Sequence, residues 1–519
     1  MHRRAIASAT TSAITSTITP TVRTPSAGLL RRASAVMRDR SDWLWYAALA
    51  TLPVDGTVFG VRMAYWSPIA PLLFLAYAVC NGRRSLTLLR RHPALVGLPF
   101  ACMLVSGFGW LTVGVHPSHA TQSLLALACA SATFVAFALA WSVKRLPWRA
   151  SITVVVAAYG AAFAFGAVTW LIQPDHLDIA ILRAPLMNLY LRQYFVFRPQ
   201  FLFAEPSYIG VHVFGVLLPL YWLSRDRRLP WTIGMFAVGS VVMGCGVRIV
   251  LDCIVAAVVC LVMTVPWHRS ARLLRDRPRT LVVTLAGCLA VGGAAVALMA
   301  AQPRLRALLS HGLLAGDVSM SARLFRSLAP MVAALHDPWH LLFGFGAGNV
   351  GEAMMRGYVD ASTWYLAHGG MMTGEIAQLA DPYAPVSNRA GNVFTMNAYV
   401  SFVTEFGLAL FVAACMLVLH RLMRRIFDGR RPTDAIDGRI GDGRDARDGF
   451  RDKSAGARCD DPTGSLRGGF RRDSAKFLYC WLLLLAYLYA QFEAYACYAL
   501  PLFLWYLHYG PQRSACTVR

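Results

Sequence analysis

The sequence predicts an all-α polytopic membrane protein, and three observations lead to that fold class. Hydrophobic residues make up 56% of the 519-residue chain, whose mean hydropathy is +0.48. Apolar runs of about 17–25 residues recur from one end of the chain to the other, and each can cross roughly 30 Å of hydrocarbon. Arginines are concentrated in alternate short loops between those runs. We therefore expect about 12 transmembrane helices, with a large periplasmic loop between helices 9 and 10.

The apolar runs place the expected spans in chain order. They cover residues 43–60, 63–80, 94–115, 121–143, 151–173, 206–224, 231–247, 249–267, 281–301, 394–419, 477–492 and 494–509. The last two are joined through Gln491-Phe492-Glu493, so we expect them to form a tight helical pair.

The distribution of basic residues predicts the orientation of these spans. The loops on one side hold basic clusters, whereas the short loops on the other side hold almost no charge. The clusters are Arg83, Arg84, Arg90 and Arg91; Lys144, Arg145 and Arg149; Arg225, Arg227 and Arg228; and Arg269, Arg272, Arg275, Arg277 and Arg279. Because cytoplasmic loops are rich in Lys and Arg, both termini are expected in the cytoplasm. Residues 174–205 and 302–393 then form the two long loops on the opposite side.

Composition divides the chain further. Residues 1–42 are rich in Ser, Thr and Arg and predict a disordered cytoplasmic tail, followed by the transmembrane core at 43–419. Residues 420–476 repeat Asp-Gly-Arg and Arg-Asp units, which is typical of a low-complexity basic cytoplasmic loop. The helix pair at 477–509 and a short cytoplasmic tail at 510–519 complete the chain. The loop at 302–393 holds six arginines and six acids, a balance that favours a small folded element.

The net charge of +23 does not indicate a nucleic-acid-binding protein. Such a protein needs a basic domain or patch, whereas these arginines are spread over short loops. The 12 cysteines lie in expected helices, at their ends or in cytoplasmic segments, so neither a disulfide nor a cysteine-based zinc site is expected. The histidines of the large loop lack metal-ligand spacing and are expected at the surface: His311, His336, His340 and His368. The sequence thus predicts no metal and no cofactor.

An arginine and a glutamate flank an aromatic run at the start of the sixth span, in Arg198-Pro-Gln-Phe-Leu-Phe-Ala-Glu205-Pro206-Ser207. Ionisable groups at the mouth of a membrane helix are costly and indicate a functional site. Pro206 suits the first helical turn, which puts Glu205 at the N-cap, where the helix dipole favours an anion. Glu205 is therefore either a functional carboxylate or a structural cap and partner of Arg198.

Two further stretches carry arginines among apolar residues. Residues 177–197 are apolar with Arg183 and Arg192 between, which predicts either an interfacial shelf for a lipid-linked molecule or an ordinary interfacial helix. Arg248 opens the eighth span, where an i,i+4 ion pair with Asp252 is the alternative to a functional role.

The large loop holds two motifs. Arg323 lies in Ser321-Ala-Arg323-Leu-Phe-Arg326, before an amphipathic stretch. Gly344-Phe-Gly346-Ala-Gly348-Asn349 imitates a dinucleotide fingerprint, but no βαβ unit surrounds it, so a tight turn at the membrane surface is expected.

The tenth span opens with Asn397 and continues to Glu405-Phe-Gly407. Together with Asp55 and Glu493, Glu405 lies in apolar surroundings. We expect these three acids to face the interior of the bundle.

These motifs, in this order, resemble the O-antigen polymerase and O-antigen ligase family of bacterial inner membranes. The resemblance extends from about residue 190 to 410. It comprises Arg198 with Phe203-Ala-Glu205-Pro-Ser, Arg248 at the start of a later span, Arg323 in the loop that ends at Gly344–Asn349, and Asn397 with Glu405-Phe-Gly407. The first 190 residues and the Asp-Gly-Arg loop show no specific match.

The resemblance implies metal-independent glycosyl transfer at the periplasmic face, with a glycan on undecaprenyl diphosphate as donor. Guanidinium groups can stabilise the diphosphate leaving group, and a carboxylate can accept the proton of the acceptor hydroxyl. The resemblance assigns catalysis to Glu205 and Arg198, diphosphate binding to Arg198, Arg248 and Arg323, and supporting roles to Asn349, Asn397 and Glu405.

Three functions remain open. A polymerase moves the growing chain onto the next lipid-linked repeat unit, a ligase moves it onto lipid A-core, and a non-enzymatic transporter would line a path with the arginines. Ligases of the family carry a histidine before the late asparagine, where this chain has Met396, so polymerase is favoured. The expected partners are the undecaprenyl-diphosphate-linked glycan, the bilayer and a chain-length regulator protein.

Overall fold

The described part of the molecule is built from helices. The computed structural model describes residues 39–60, 66–191, 199–245, 303–379, 395, 397–427, 477–489 and 496–509, with isolated positions between 279 and 293. Helix accounts for 79% of the structure, and no strand occurs within these ranges. The predicted all-α membrane class is confirmed at this level.

Five helices are long and apolar enough to cross a membrane. They are α4 (Ala94–Val113), α5 (Pro117–Phe137, extended by a π-helical turn to Val143), α6 (Trp148–Leu171), α8 (Pro206–Ser224) and α15 (Ala398–Phe427, apolar to Arg424). α15 breaks at Gly407, whose φ is 81°. In its most apolar stretch 78% of α8 is buried, against 17% for α4, so the helix that follows Glu205 is the most enclosed of the five.

Shorter helices occupy several other expected spans. They are α2 (Ile69–Cys80), α9 (Arg228–Val242), α16 (Phe477–Leu488) and α17 (Ala496–Tyr509). α3 (Gly82–Arg91) is a polar connection, and α7 (Ala180–Met187) follows α6. The expected span at 249–267 lies outside the described residues, and that at 281–301 is described only at isolated positions. The count of twelve spans therefore stays a prediction.

The prediction of one continuous span over 43–60 is wrong. Helix α1 covers Asp42–Thr51, which at ten residues is too short to cross a bilayer. Pro53 follows two residues after the last helical residue, and it cannot donate the hydrogen bond that would continue the helix. The chain then runs irregularly through Asp55 and Gly56. The Gly56 N–H donates to the Leu202 carbonyl at 2.9 Å. This stretch therefore packs beside the residues that precede Glu205.

One hydrophobic core joins α1, α2, α5, α6, α8, α9, α16 and α17. At one end of it, Trp141 stacks on Trp148 with ring centroids 4.2 Å apart and meets Trp45 and Trp505 edge-on. The indole N–H of Trp45 donates to Ser151 and that of Trp505 to Ser142. Trp45 and Trp505 are thus buried among apolar rings while each N–H reaches a hydroxyl, which is the usual arrangement for a buried tryptophan.

A buried ion pair lies beside this aromatic cluster. Lys144 Nζ, at the end of α5, stands 2.6 Å from Asp42 Oδ1 and 2.9 Å from Asp39 Oδ2. The side chains of Lys144 and Asp42 are 3% and 0% exposed. Hydrogen bonds from Lys144 and then Arg84 hold the pKa of Asp39 below its ordinary value. The pair ties the start of α1 to the end of α5.

Residues 303–379 form a second packed unit of helices. It contains α10 (Pro303–Ala315, interrupted at Gly312), α11 (Val318–His336), α12 (Pro338–Phe343), α13 (Val350–Ala367) and the single turn α14 (Gly374–Ala377). Phe325, Ala329, Ala361 and Tyr365 lie at its core. A Cβ at Gly357 of α13 would overlap the Ala329 carbonyl of α11, so the absent side chain lets the two helices touch.

Candidate functional site

The approach to Glu205 is a strained turn pinned by aromatic burial. Phe201 has a positive φ of 53°, which is a real outlier for a bulky residue and needs its surroundings to hold it. The Tyr190 hydroxyl donates to the Phe201 carbonyl at 2.6 Å. Phe201 and Phe203 are both fully buried. Because these rings are fixed inward, the chain reaches the start of α8 with Glu205 in one defined place.

Glu205 occupies the N-cap position at the start of α8 but does not act as a side-chain cap. Its backbone is extended, with φ −153° and ψ 148°, and its side chain makes no capping hydrogen bond. Its carboxylate Oε1 instead faces Arg323, with Nη2 at 3.4 Å. The Glu205 side chain therefore does not cap the helix, and the arginine that faces it is Arg323. The expected pairing with Arg198 stays a prediction, because Arg198 lies outside the described residues.

Arg323 is placed by helix α11. The helix begins after Asp317, whose carboxylate accepts the Met320 N–H at 2.9 Å, and one face of the helix packs against α13. Arg323 therefore lies on a rigid element, not on a loop tip. Its side chain is 13% exposed and that of Glu205 14%. The sequence predicted both residues for the site, and the structure brings them together across 118 residues of chain.

Arg326 is a feature of this region that the sequence-based assignment left out. It lies three residues after Arg323, on the next turn of α11, and is 7% exposed. Residues at i and i+3 of a helix are neighbours on its surface. The usable sequence signal was its spacing of three residues from Arg323, which places the two arginines on one face of a helix.

Two other predicted site residues cannot be placed. Arg198 and Arg248 lie outside the described residues, as do Met396, Asp252 and Glu493. Their assignments stay predictions from the sequence.

The glycine-rich segment 344–349 is a wedge between helices. Gly344, Gly346 and Gly348 all have positive φ, at 79°, 90° and 82°. The Phe345 N–H donates to the Thr404 carbonyl at 2.7 Å, and the Gly346 N–H donates to that of Glu405 at 3.0 Å. The segment thus enters the bundle between α4, α5 and α15, as a tight turn and without nucleotide-binding topology.

The three residues predicted to support the site hold this wedge and the adjoining helix ends. Glu405 Oε1 accepts from Ser123 Oγ at 2.8 Å and from the Gly348 N–H at 2.9 Å. Asn349 Nδ2 donates to the carbonyls of Gly114 and Phe345, both at 2.8 Å. Asn397 Oδ1 caps α15 by accepting from the Tyr399 N–H at 3.0 Å. Since α11 and α12 both pack against α15, these contacts fix the helix that carries Arg323.

Replacing Gly348 by alanine is expected to destabilise the protein by more than about 3 kcal/mol, because strain at positive φ adds to a backbone collision. The new Cβ would overlap the backbone at Ala120. Thermal unfolding of the purified protein in detergent measures this effect. Gly369→Ala is the matched control, since Gly369 also has positive φ, of 74°, but open space around it. Equal losses in the two variants would contradict a wedge role for the segment.

His340 is buried, so its expected surface position is wrong, whereas His311, His336 and His368 are exposed. Its Nδ1 lies 2.6 Å from Asp337 Oδ2 and its Nε2 2.9 Å from Thr112 Oγ1. The ring also stacks on Phe345, with centroids 4.4 Å apart. His340 therefore ties α12 to the end of α4 directly beside the wedge.

This contact predicts acid sensitivity. Burial alone would raise the pKa of Asp337, but hydrogen bonds from the His340 side chain and from the His340 and Trp339 N–H groups outweigh it and hold that pKa below 3.8. A depressed carboxyl pKa stabilises the fold above the unfolded value, and the contribution is lost as pH falls through the folded value. Unfolding measured at a series of pH values should show an acid loss below about pH 4 that Asp337→Asn reduces. If the loss of stability at low pH is unchanged in that variant, Asp337 is not its source.

Four polar side chains that were not assigned to the site meet around His212, in the helix that follows Glu205. Asp55, Tyr159, His212 and Tyr498 come from four separate parts of the chain and are all buried. Asp55 was expected to face the bundle interior, and so was Glu405; both are buried, at 1% and 5% exposed. His212 could have been found from its position in an apolar span, where an ionisable residue is itself a signal.

An exposed apolar surface is formed by helix α7, which precedes Glu205 in the chain. Helix α7 buries none of its side chains, and Ile181 is 85% exposed. Arg183 pairs with Asp178 at 2.9 Å. The following turn is tied to the irregular stretch after α1, because the Leu189 carbonyl accepts the Val58 N–H at 2.9 Å. An exposed apolar helix is therefore anchored close to the segment that leads to Glu205.

Within the described ranges, no group of three or more His, Cys, Asp or Glu side chains could hold a metal ion. Comparison with protein-family models, with curated proteins and with solved structures finds no match to this chain.

Proposed function

We propose that this protein polymerises oligosaccharide repeat units linked to undecaprenyl diphosphate, by glycosyl transfer at the periplasmic face of a bacterial inner membrane. The observation that carries the proposal is the pairing of Glu205 with Arg323 at 3.4 Å. The two residues belong to separate sequence motifs that lie 118 residues apart in the chain. A carboxylate and a guanidinium at one place are the two groups that this transfer needs.

The surroundings of the pair strengthen its electrostatics. Both side chains are largely shielded from solvent, so salt screens them less than it screens surface charges. A carboxylate is a group that can accept the proton of an attacking hydroxyl. The planar guanidinium can donate two parallel hydrogen bonds to phosphate oxygens. A diphosphate that arrives beside Arg323 would compete with Glu205 for it and leave the carboxylate ready to act.

The proposed step is a substitution at the anomeric carbon of the donor glycan. The acceptor hydroxyl oxygen forms the new bond to that carbon, and its proton passes to Glu205. The bond between the anomeric carbon and the diphosphate oxygen breaks, and the leaving group keeps the electron pair. Arg323 stabilises the negative charge that develops on the diphosphate. Undecaprenyl diphosphate is released, and the glycan is longer by the units transferred.

The apolar face of α7 suits the lipid part of such a substrate. An undecaprenyl chain lies in the bilayer, while its diphosphate stays at the interface. α7 exposes Ile181 and Leu182 and carries Arg183 at its side, which is the pattern of an interfacial helix. Arg198 and Arg248 belong to the proposal as further diphosphate ligands on the strength of their sequence motifs.

The test uses the full-length protein in liposomes that contain a synthetic repeat unit on undecaprenyl diphosphate. The expected products are glycans of several repeats and an equivalent amount of free undecaprenyl diphosphate. Addition of lipid A-core separates the ligase, since transfer to it without chain lengthening would reject polymerisation. Movement of the donor between leaflets with no new glycosidic bond would favour the transporter instead.

A further inference from the structure

Asp55 carries a carboxylate enclosed in the bundle. The residue is 1% exposed, and neither carboxylate oxygen has a hydrogen-bond donor among the described residues. Its Oδ2 lies 3.5 Å from Nε2 of His212, which is itself 0% exposed. Within the described ranges no lysine or arginine pairs with it. An ionised carboxylate in such a place costs several kcal/mol or more unless it is paired or neutralised.

The imidazole of His212 connects this carboxylate to a phenol. His212 Nδ1 lies 2.8 Å from the Tyr159 hydroxyl, while Nε2 faces Asp55. The three groups therefore form a line: carboxylate, imidazole, phenol. With neutral His212, Tyr159 donates to Nδ1 and Nε2–H faces Asp55. With protonated His212, both ring nitrogens donate, and Tyr159 and Asp55 accept.

Other titratable groups around the line come from each element packed on it. Tyr498 of α17 has its ring centroid 5.2 Å from that of the imidazole. Tyr159 and Tyr498 both lie within electrostatic reach of Asp55, and Cys497 and Cys129 lie within reach of Tyr498. All of these neighbours are neutral in their protonated form. One added proton therefore removes the net negative charge of the buried cluster.

We propose that Asp55, His212 and Tyr159 form a proton-binding site inside the bundle, in which the carboxylate and the imidazole share one exchangeable proton. The proton comes from water, and only an O–H or N–H bond forms. The inference goes beyond the glycosyl transfer proposed above and does not depend on it. The position of His212 also connects this proton to the segment that leads to Glu205. The imidazole stacks on the Phe203 ring, with centroids 4.5 Å apart, two residues before Glu205.

Infrared difference spectroscopy of the full-length protein in lipid nanodiscs tests the proposal. Spectra are compared between about pH 5 and about pH 8, the range over which imidazole groups generally change charge. The wild type should show a protonated-carboxyl signal together with imidazole signals. Asp55→Asn should lose that carboxyl signal completely. A wild-type carboxyl signal that persists in Asp55→Asn, or the absence of any in the wild type, overturns the proposal.

The exposed pair His336 and Asp360 provides the matched control. Its atoms Nδ1 and Oδ2 lie 3.3 Å apart, but the side chains are 66% and 59% exposed. Asp360→Asn should leave the carboxyl signal intact, and its loss there would also overturn the assignment. If Asp55→Asn does not fold, His212→Gln replaces it, with an amide to occupy the space. In that variant the pH at which the carboxyl signal is half-maximal should shift. An unshifted value overturns the proposal that Asp55 and His212 share a proton.

Discussion

Replacing Arg323 by alanine is expected to lower the rate of glycan elongation by about 10²–10³-fold, the usual cost of deleting one donor that stabilises developing negative charge. The reason is that the diphosphate then leaves without its guanidinium partner. Arg323→Lys keeps a positive charge but cannot form the bidentate hydrogen bonds of a guanidinium to phosphate, so an intermediate rate is expected. The measurement is the initial rate of chain lengthening in liposomes, with equal amounts of folded protein confirmed by size-exclusion chromatography.

Arg356→Ala is the matched control for this prediction. Arg356 lies on the neighbouring helix α13, is 44% exposed and pairs with Glu352 at 3.1 Å. Its removal deletes the same charge from the same part of the molecule without touching Glu205, so a nearly unchanged rate is expected. If both variants lose activity equally, a general electrostatic effect of residues 303–379 would replace the specific role of Arg323.

Replacing Lys144 by methionine is expected to destabilise the protein by about 3–5 kcal/mol, the cost of leaving one member of a buried ion pair without its partner. Asp42 would then be a buried carboxylate with its 2.6 Å ammonium contact removed. Methionine retains the apolar stem, so most of the loss comes from the charge. Denaturant unfolding of the purified protein in detergent gives the free-energy difference.

Two further variants separate this effect from general damage. The double substitution Lys144→Met and Asp42→Asn removes the unpaired charge and should recover part of the lost stability. Arg228→Met breaks an exposed pair, in which Arg228 is 45% exposed and lies 2.8 Å from Asp226, so a loss of about 0–1 kcal/mol is expected. A double variant no better than Lys144→Met would count against the buried-charge explanation.

Local sequence rules predicted the helices better than their ends. The prediction of one span at 43–60 was wrong because mean hydropathy is averaged over many residues and does not register Pro53. A single missing N–H is enough to end a helix. The same limit applies to His340. Nothing in its local sequence shows that Thr112 and Phe345 enclose it. Glu405, in contrast, was correctly expected to face inward, because an acid in an apolar helix has no acceptable place at the lipid surface.

The sequence by itself determined that this chain is an all-α membrane protein and which charged residues stand out against its apolar background. Both follow from local chemistry, since the cost of placing a charge or an unpaired peptide group in hydrocarbon does not depend on distant residues. Only the tertiary structure decided that Glu205 faces Arg323 and that Asp55 meets His212. Those partners are separated by more than a hundred residues, and their contacts depend on how α8 and α11 pack and on where the chain bends after α1. Packing of that kind is set by the fit of many side chains at once, which no short motif encodes.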